Sequence, residues 1–178
     1  LAVVGADGAP GGRALRFDGE GFLEVGHTPV LDCPDGVTLE AWIRPRQLPP
    51  TGARILDKTP VGAATAYLLD TYPGNSLRLI CAERLFVFTA GLPPREWCHV
   101  AAAFSRTKNL LRLYVNGRPV ANAGRAGMKP LEPCASPLVV GADKDGGNRF
   151  MGTIACAAVY GRALDDAEAA VLQRHLPA

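Results

Sequence analysis

The segment 38–44 carries three chemically distinct side chains at alternate positions. Glu40, Trp42 and Arg44 fall on one side of a predicted strand, and the intervening residues are apolar. Sugars suit this mixture, because their C–H faces stack on aromatic rings and their hydroxyls hydrogen-bond to charged groups. The stripe is a candidate sugar-contacting surface with Glu40 and Arg44 as ligand-binding residues. The alternative interpretation is that Trp42 packs in the core.

The chain lacks the carboxylate pairs that glycoside hydrolysis requires. Retaining hydrolysis needs two carboxyl groups about 5–5.5 Å apart, and residues at i and i+2 on a strand share a face. Glu40 is alone on its predicted strand. The other clustered acidic residues fall in a loop or a terminal helix, namely Asp143, Asp145, Asp165, Asp166 and Glu168. The sequence also lacks Gly-x-Ser-x-Gly, His-Glu-x-x-His and phosphate-binding glycine motifs. We therefore expect a domain without enzymatic activity.

Two polar loops are stronger candidates for a binding site, because binding residues concentrate on loops that a rigid scaffold holds. The segment 143–149 is polar and glycine-rich, and the segment 70–75 offers an aromatic side chain. Charged residues of the predicted strand 53–58 complete the group. Its predicted ligand-binding residues are Arg54, Asp57, Lys58, Tyr72, Asp143, Asp145, Asn148 and Arg149. The alternative is that these segments are ordinary solvated turns.

Five cysteines leave at least one thiol unpaired. Cys134 and Cys156 lie nearly symmetrically about the turn 143–149 of a candidate hairpin, so they could face each other across two strands. Cys81 and Cys98 both fall in apolar, alternating segments and could also meet. We predict at least one disulfide among these four residues, which implies an oxidising compartment. The alternative is five buried thiols that act as small apolar residues.

Alternating apolar residues between turns predict about a dozen strands, enough for two stacked antiparallel sheets. Asn116-Gly117 indicates a two-residue hairpin, since both positions tolerate positive φ. One helix is predicted near the C-terminus, where Asp165 and Glu168 have the spacing of a capping box.

Bulk composition narrows the classes of function. The 178 residues are 48% hydrophobic and suit one domain spanning 1–178 with a single core. The net charge of +2, without a cationic run, argues against nucleic acid as a partner. No apolar stretch approaches the roughly 18 residues of a membrane span. Residues 1–13 lack the features of a signal peptide, and the abrupt start suggests a mature chain or a domain cut from a longer one.

Seven ordered landmarks extend across nearly the whole chain. They are Ala14-Leu15-Arg16-Phe17-Asp18-Gly19, Val37-Thr38-Leu39-Glu40-Ala41-Trp42-Ile43-Arg44-Pro45, Trp97-Cys98-His99-Val100-Ala101, Leu113-Tyr114-Val115-Asn116-Gly117, Leu138-Val139-Val140-Gly141, Phe150-Met151-Gly152-Thr153-Ile154 and Val159-Tyr160-Gly161-Arg162-Ala163-Leu164. In this order and spacing they resemble the laminin-G-like jelly rolls of the concanavalin A-like lectin/glucanase superfamily. The resemblance implies an all-β, two-sheet antiparallel jelly-roll β-sandwich with a short C-terminal helix.

The resemblance also implies roles for single residues. Asp18 matches a position whose carboxylate often helps to bind a structural Ca²⁺, an ion that takes six to eight oxygen ligands. The chain departs from the pattern where many relatives supply a second acidic pair, because Ala155 and Cys156 stand there. One structural Ca²⁺ at Asp18 is thus an expectation, with a simple turn residue as the alternative. Trp42 and His99 match positions that in the family mainly pack or stabilise the structure.

We expect a non-catalytic, lectin-like module that binds an oligo- or polysaccharide. The resemblance favours an accessory module of a secreted bacterial carbohydrate-active enzyme, located in the periplasm, at the cell surface or outside the cell, with a catalytic domain attached or nearby. The rival hypotheses are a protein-interaction or adhesion domain, a hydrolase or lyase of the same fold, and a structural spacer.

Overall fold

Two antiparallel sheets pack face to face in the computed structural model, which describes residues 1–47, 51–60, 63, 65–82, 85–88 and 91–174. In spatial order, the seven-stranded sheet contains β1 (Ala2–Gly5), β2 (Arg13–Asp18), β13 (Met151–Tyr160), β4 (Gly36–Gln47), β9 (Cys98–Ser105), β10 (Leu110–Val115) and β11 (Arg118–Asn122). The six-stranded sheet contains β3 (Leu23–Val25), β12 (Leu138–Val140), β5 (Ala53–Asp57), β6 (Tyr67–Thr71), β7 (Leu77–Cys81) and β8 (Leu85–Phe88). The predicted all-β sandwich is confirmed.

The core forms where the inward faces of the two sheets meet. Leu39, Ala41 and Ile43 of β4 are fully buried in it, as the alternation of this segment predicts. Leu69 of β6 and Leu79 of β7 approach from the other sheet. Burial of apolar surface from both layers is the main stabilising contribution to a sandwich of this kind.

The predicted turn and helix signals are confirmed. Asn116 and Gly117 have φ values of +50° and +70° and join β10 to β11, a return strand that sequence reasoning did not identify. Helix α1 (Asp166–Arg174) begins with a complete capping box. The N–H of Asp165 donates to Glu168 Oε2 at 3.0 Å, and the N–H of Glu168 donates to Asp165 Oδ1 at 2.9 Å.

The outer face of the seven-stranded sheet is partly covered by the N-terminal segment that follows β1. Ala6 and Ala9 of this segment pack against Trp42 of β4, which is 4% exposed. Trp97 closes the cluster and donates its Nε1–H to the carbonyl of Asp7 at 2.9 Å. Trp42 is therefore a packing residue, in agreement with the interpretation that the family resemblance favours.

The predicted hairpin about the turn 143–149 is wrong. β12 pairs with β3 and β5 in one sheet, and β13 pairs with β2 and β4 in the other, so the loop between them crosses from sheet to sheet.

The predicted disulfides are accordingly not formed, and all five cysteines are free thiols. Cys134 lies buried beside Lys58, and Cys156 is exposed on a bulge of β13. Cys81 and Cys98 are both buried but belong to different sheets. No helix among the described residues is long and apolar enough to cross a membrane.

Candidate functional site

One end of the sandwich gathers most of the predicted ligand-binding residues. β5 begins there, β6 ends there, and the loop 143–149 crosses between the sheets beside them. The N–H of Arg54 donates to the carbonyl of Asn148 at 2.8 Å, which fixes the loop to the start of β5. We call the segments 72–76 and 143–149, with Arg54, the loop rim.

Tyr72 is the exposed aromatic side chain of the loop rim. It follows β6 directly, is 39% exposed, and has the guanidinium of Arg78 stacked on its ring with a Cζ-to-centroid distance of 4.3 Å. Arg78 extends from β7, where Leu77 and Leu79 point into the core and leave the intervening side chain on the outer face. This stacked pair gives the rim an oriented aromatic surface.

Asp70 of β6 fixes the orientation of Arg78 in this stacked pair. Its carboxylate is fully buried and accepts from Arg78 Nε at 2.9 Å and Arg78 Nη2 at 2.6 Å. Arg54 also donates to Asp70, and its Nε lies 2.9 Å from Asp57 Oδ2. Sequence reasoning missed Arg78 and Asp70, although the alternation of β6 and β7 places both on the outer face. Their ion pairs hold the two guanidinium groups in place without a ligand.

The loop 143–149 is organised around one carboxylate. Asp143 Oδ1 accepts the N–H of Gly147 at 2.6 Å and that of Asp145 at 3.2 Å, and its Oδ2 accepts from Asn148 Nδ2 at 2.9 Å. Asp145 is exposed and forms an ion pair with Lys144 at 2.6 Å. Asp143 thus shapes the loop, whereas Asp145 and Asn148 present polar groups to solvent.

Arg149 joins the loop to the turn that follows β2. Its guanidinium donates to the carbonyl of Glu20 and lies over the ring of Phe22, with Cζ 5.7 Å from the centroid. The loop rim is therefore continuous with the 18–22 turn.

Glu40 does not reach the loop rim. It is 6% exposed, its Oε1 lies 3.1 Å from His99 Nε2, and its Oε2 accepts from the Tyr160 hydroxyl at 2.7 Å. Burial and the hydrogen bond to Glu40 raise the pKa of Tyr160 to about 12. His99 is fully buried, as its structural interpretation requires. These three residues form a polar network within the seven-stranded sheet.

Asp57 and Lys58 are also buried rather than presented to solvent. Asp57 accepts from the N–H and the hydroxyl of Thr59 at 2.7 and 2.6 Å. Lys58 Nζ donates to the carbonyl of Cys134 at 2.6 Å and to Asp32 Oδ1 at 3.1 Å. Lys58 thereby ties two loops to the far end of β5, away from Tyr72.

Comparison with known proteins identifies the family. A model of the concanavalin A-like lectin/glucanases superfamily matches residues 17–170. The chain belongs to this superfamily. No curated protein matches the sequence of the chain at a significant level.

Solved structures share the superfamily fold at low identity. A Bacteroides ovatus protein described as a putative carbohydrate binding protein is 20% identical with a TM-score of 0.71, and the match covers 88% of this chain and 45% of that one. The CBM40 module of a Ruminococcus gnavus sialidase, bound to α2,3-sialyllactose, is 13% identical with a TM-score of 0.73 over 90% and 96% of the two chains. Domain 4 of an extracellular arabinanase from Geobacillus stearothermophilus, in complex with arabinotriose, is 16% identical with a TM-score of 0.71 over 97% and 80%. The chain spans less than half of the first protein. These matches establish the fold.

The superfamily resemblance raises the question of calcium at Asp18. Asp18 Oδ1 accepts the N–H groups of Glu20 and Gly21 at 3.1 and 3.4 Å, and its Oδ2 lies 3.5 Å from the terminal amino group. These hydrogen bonds lower the pKa of Asp18 to about 2. Among the described residues, no group of three or more His, Cys, Asp or Glu side chains could hold a metal. Asp18 thus holds its own turn through these hydrogen bonds, and one structural Ca²⁺ at this residue stays a prediction that a calcium titration would test.

Proposed function

We propose that this concanavalin A-like domain binds an oligo- or polysaccharide without cleaving it. The observation that carries the proposal is the exposed Tyr72 ring, held by Arg78 and surrounded by the polar groups of the loop rim. The apolar face of a sugar ring packs on an aromatic side chain, and its hydroxyls bond to the neighbouring polar groups. Because Asp70 orders Arg78 before a ligand arrives, little side-chain entropy is lost on binding.

The carboxylates around the rim support binding rather than hydrolysis. Asp70 is fully buried and holds two arginines, and Asp143 accepts hydrogen bonds from its own loop through both oxygens. Neither is therefore placed to give a proton to a glycosidic oxygen or to attack a sugar carbon. Neither carboxylate thus supports the runner-up hypothesis, a hydrolase or lyase of the same fold.

We further propose that the domain is an accessory module of a larger carbohydrate-active protein that works outside the cytoplasm. Two similar structures, the CBM40 module of a sialidase and a domain of an extracellular arabinanase, come from carbohydrate-active proteins and were solved with bound sugars. Holding polysaccharide near a linked catalytic domain raises the effective concentration of substrate.

A glycan array probed with the isolated domain, with and without a chelator, tests the proposal. We expect retention on at least one class of glycan and no shortening of that glycan on prolonged incubation. Loss of retention in the chelator would support the calcium prediction. Absence of binding to every glycan, or release of reducing ends, would contradict the proposed function.

A further inference from the structure

Four arginines surround a second concave surface at the same end of the sandwich. Arg16, Arg44, Arg46 and Arg95 line a cleft of about 530 Å³, together with Phe17, Asp18, Pro45, Gly152 and Thr153. We call this surface the arginine cleft. It lies on the outer face of the seven-stranded sheet, whereas Tyr72 follows a strand of the six-stranded sheet.

Strand register places two of these arginines side by side. Thr153 of β13 is the direct partner of Arg16 on β2 and of Arg44 on β4. Ile43 and Ile154 point into the core, so their neighbours Arg44 and Thr153 point outward. Because adjacent strands lie about 4.8 Å apart, Arg16 and Arg44 flank the buried Thr153 from either side.

A bulge and an unusual backbone conformation add the other two arginines. The register of β4 against β13 shifts between Met151 and Gly152, which leaves Arg46 unpaired beside the cleft. Gly152 has φ of +152°, and a Cβ there would clash with the carbonyl oxygen of Arg44. Arg95 has φ of +66° and donates its N–H to the carbonyl of Pro45 at 2.7 Å. The backbone thus brings Arg46 and Arg95 to the same opening.

The charges in the cleft are not neutralised within the described part of the chain. Five other arginines form ion pairs with carboxylates, namely Arg54, Arg78, Arg106, Arg112 and Arg162. Among the described residues, none of the four cleft arginines does so. Asp18 is the one carboxylate of the lining, and it already accepts two N–H groups of its own turn. The four guanidinium groups therefore share the cleft with a single carboxylate, which already accepts hydrogen bonds from its own turn.

One of the four guanidinium groups is oriented in advance. Arg44 Cζ lies 5.1 Å from the ring centroid of Trp97, whose indole is fixed by its hydrogen bond to Asp7. Arginine binds planar oxyanions through paired N–H donors. An arginine that is already held against a ring loses less conformational freedom when it does so.

We propose that the arginine cleft binds the acidic group of an anionic saccharide, a carboxylate or a sulfate, with the Thr153 hydroxyl as a further hydrogen-bonding group. This inference rests on the proposed carbohydrate-binding function and adds a second subsite to it. The loop rim would contact neutral sugar units of the saccharide. The arginine cleft would select saccharides that carry a negatively charged group. Since the contacts are electrostatic and partly exposed, they weaken as salt concentration rises.

Calorimetric titration with defined oligosaccharides tests this subsite. The probes are trigalacturonic acid, its methyl ester, and a galactose oligosaccharide that carries a 6-sulfate. The variant R16Q/R46Q removes two cleft charges, and R118Q/R125Q removes two charges from exposed arginines outside the cleft as a matched control. Far-ultraviolet circular dichroism and the thermal midpoint establish that both variants fold.

We expect R16Q/R46Q to weaken binding of the acid at least about tenfold, since charge-assisted hydrogen bonds are lost, and R118Q/R125Q to leave it within about twofold. Tight binding of trigalacturonic acid but not of the sulfated oligosaccharide would identify a carboxylate as the ligand of the cleft. The opposite result would identify a sulfate. Binding of the neutral methyl ester as tight as that of whichever charged probe binds would overturn the inference, as would an equal loss in both variants. Retained binding of neutral glycans without binding of either charged probe would overturn the arginine cleft and leave the proposed function standing.

Discussion

The guanidinium of Arg78 stacks on the ring of Tyr72, with Cζ 4.3 Å from the ring centroid. Arg78 is itself fixed by two hydrogen bonds to the buried Asp70. Asp70 thus holds Arg78, and Arg78 holds the exposed ring of Tyr72. The ion pair that stabilises the six-stranded sheet therefore also sets the shape of the loop rim.

Replacement of Tyr72 by alanine should weaken binding of a neutral oligosaccharide about three- to tenfold, because the ring contact is lost. The thermal midpoint should barely change, since the side chain is exposed and makes no core contact. Tyr72→Phe is the matched control, because it keeps the ring and removes the hydroxyl. Titration calorimetry and differential scanning fluorimetry give the two readings, and unchanged affinity in Tyr72→Ala would remove Tyr72 from the site.

Replacement of Asp70 by alanine should destabilise the protein by about 3–5 kcal/mol, because Arg78 loses its carboxylate and Arg54 keeps only Asp57, while both arginine side chains are largely buried. Asp35→Ala is the comparison, since Asp35 forms an exposed ion pair with Arg106 at 2.6 Å. An exposed pair contributes less than about 1 kcal/mol. Urea unfolding measures both values. Similar losses in the two variants would contradict the structural role of Asp70, and Asp70→Asn should recover part of the loss.

The capping box of α1 should make the stability of the protein depend on pH in the acidic range. The Arg162 guanidinium and the Asp165 N–H lower the pKa of Glu168 from its ordinary 4.5 to about 2. Glu168 therefore takes up its proton at a higher pH in the unfolded chain than in the native protein. The contribution of its charge to the free energy of unfolding is complete above about pH 4.5 and is lost as the pH falls towards 2.

The difference in thermal midpoint between the native protein and Glu168→Gln, measured from pH 7 to pH 2, should shrink over that range. Glu132→Gln serves as the control, because Glu132 is exposed and lies outside the cap. A difference that stays constant with pH would show that the Glu168 charge does not stabilise the helix.

The five thiols should react at very different rates. Cys156 is exposed, whereas Cys81 and Cys98 are fully buried, and burial raises the pKa of Cys98 to about 11. Alkylation of the native protein at pH 8 should label Cys156 first, and mass spectrometry of the denatured, unreduced protein should show five labelled cysteines. Fewer than five labels without reductant would instead support the disulfides that the sequence suggested.

The sequence was informative wherever structure is determined locally. Period-two alternation identified the core face of β4, and the spacing of Asp165 and Glu168 predicted a helix start that the structure reproduces in both hydrogen bonds. The edge strands β1 and β11 were missed because β1 is a four-residue apolar run without alternation and β11 mixes charged, polar and apolar residues around a proline.

The candidate site was harder to predict, because alternation tells which side of a strand a residue occupies and not whether that side is covered. Glu40 and Lys58 fall on apparently polar positions, yet neighbouring strands and loops bury them. The arginine cleft was missed for a related reason. Arg16, Arg44 and Arg95 are distant in sequence, and strand order and the Gly152 bulge bring them together.

The arginine cleft combines four guanidinium groups with a single carboxylate, that of Asp18. Guanidinium groups keep their protons throughout the pH range in which proteins survive, and Asp18 stays ionised down to about pH 2. If these contacts dominate binding, release of a bound saccharide in acid would follow the protonation of the saccharide's own acidic group. A uronic acid would dissociate as its carboxylate is protonated at about pH 3 to 4, whereas a sulfate ester would stay bound.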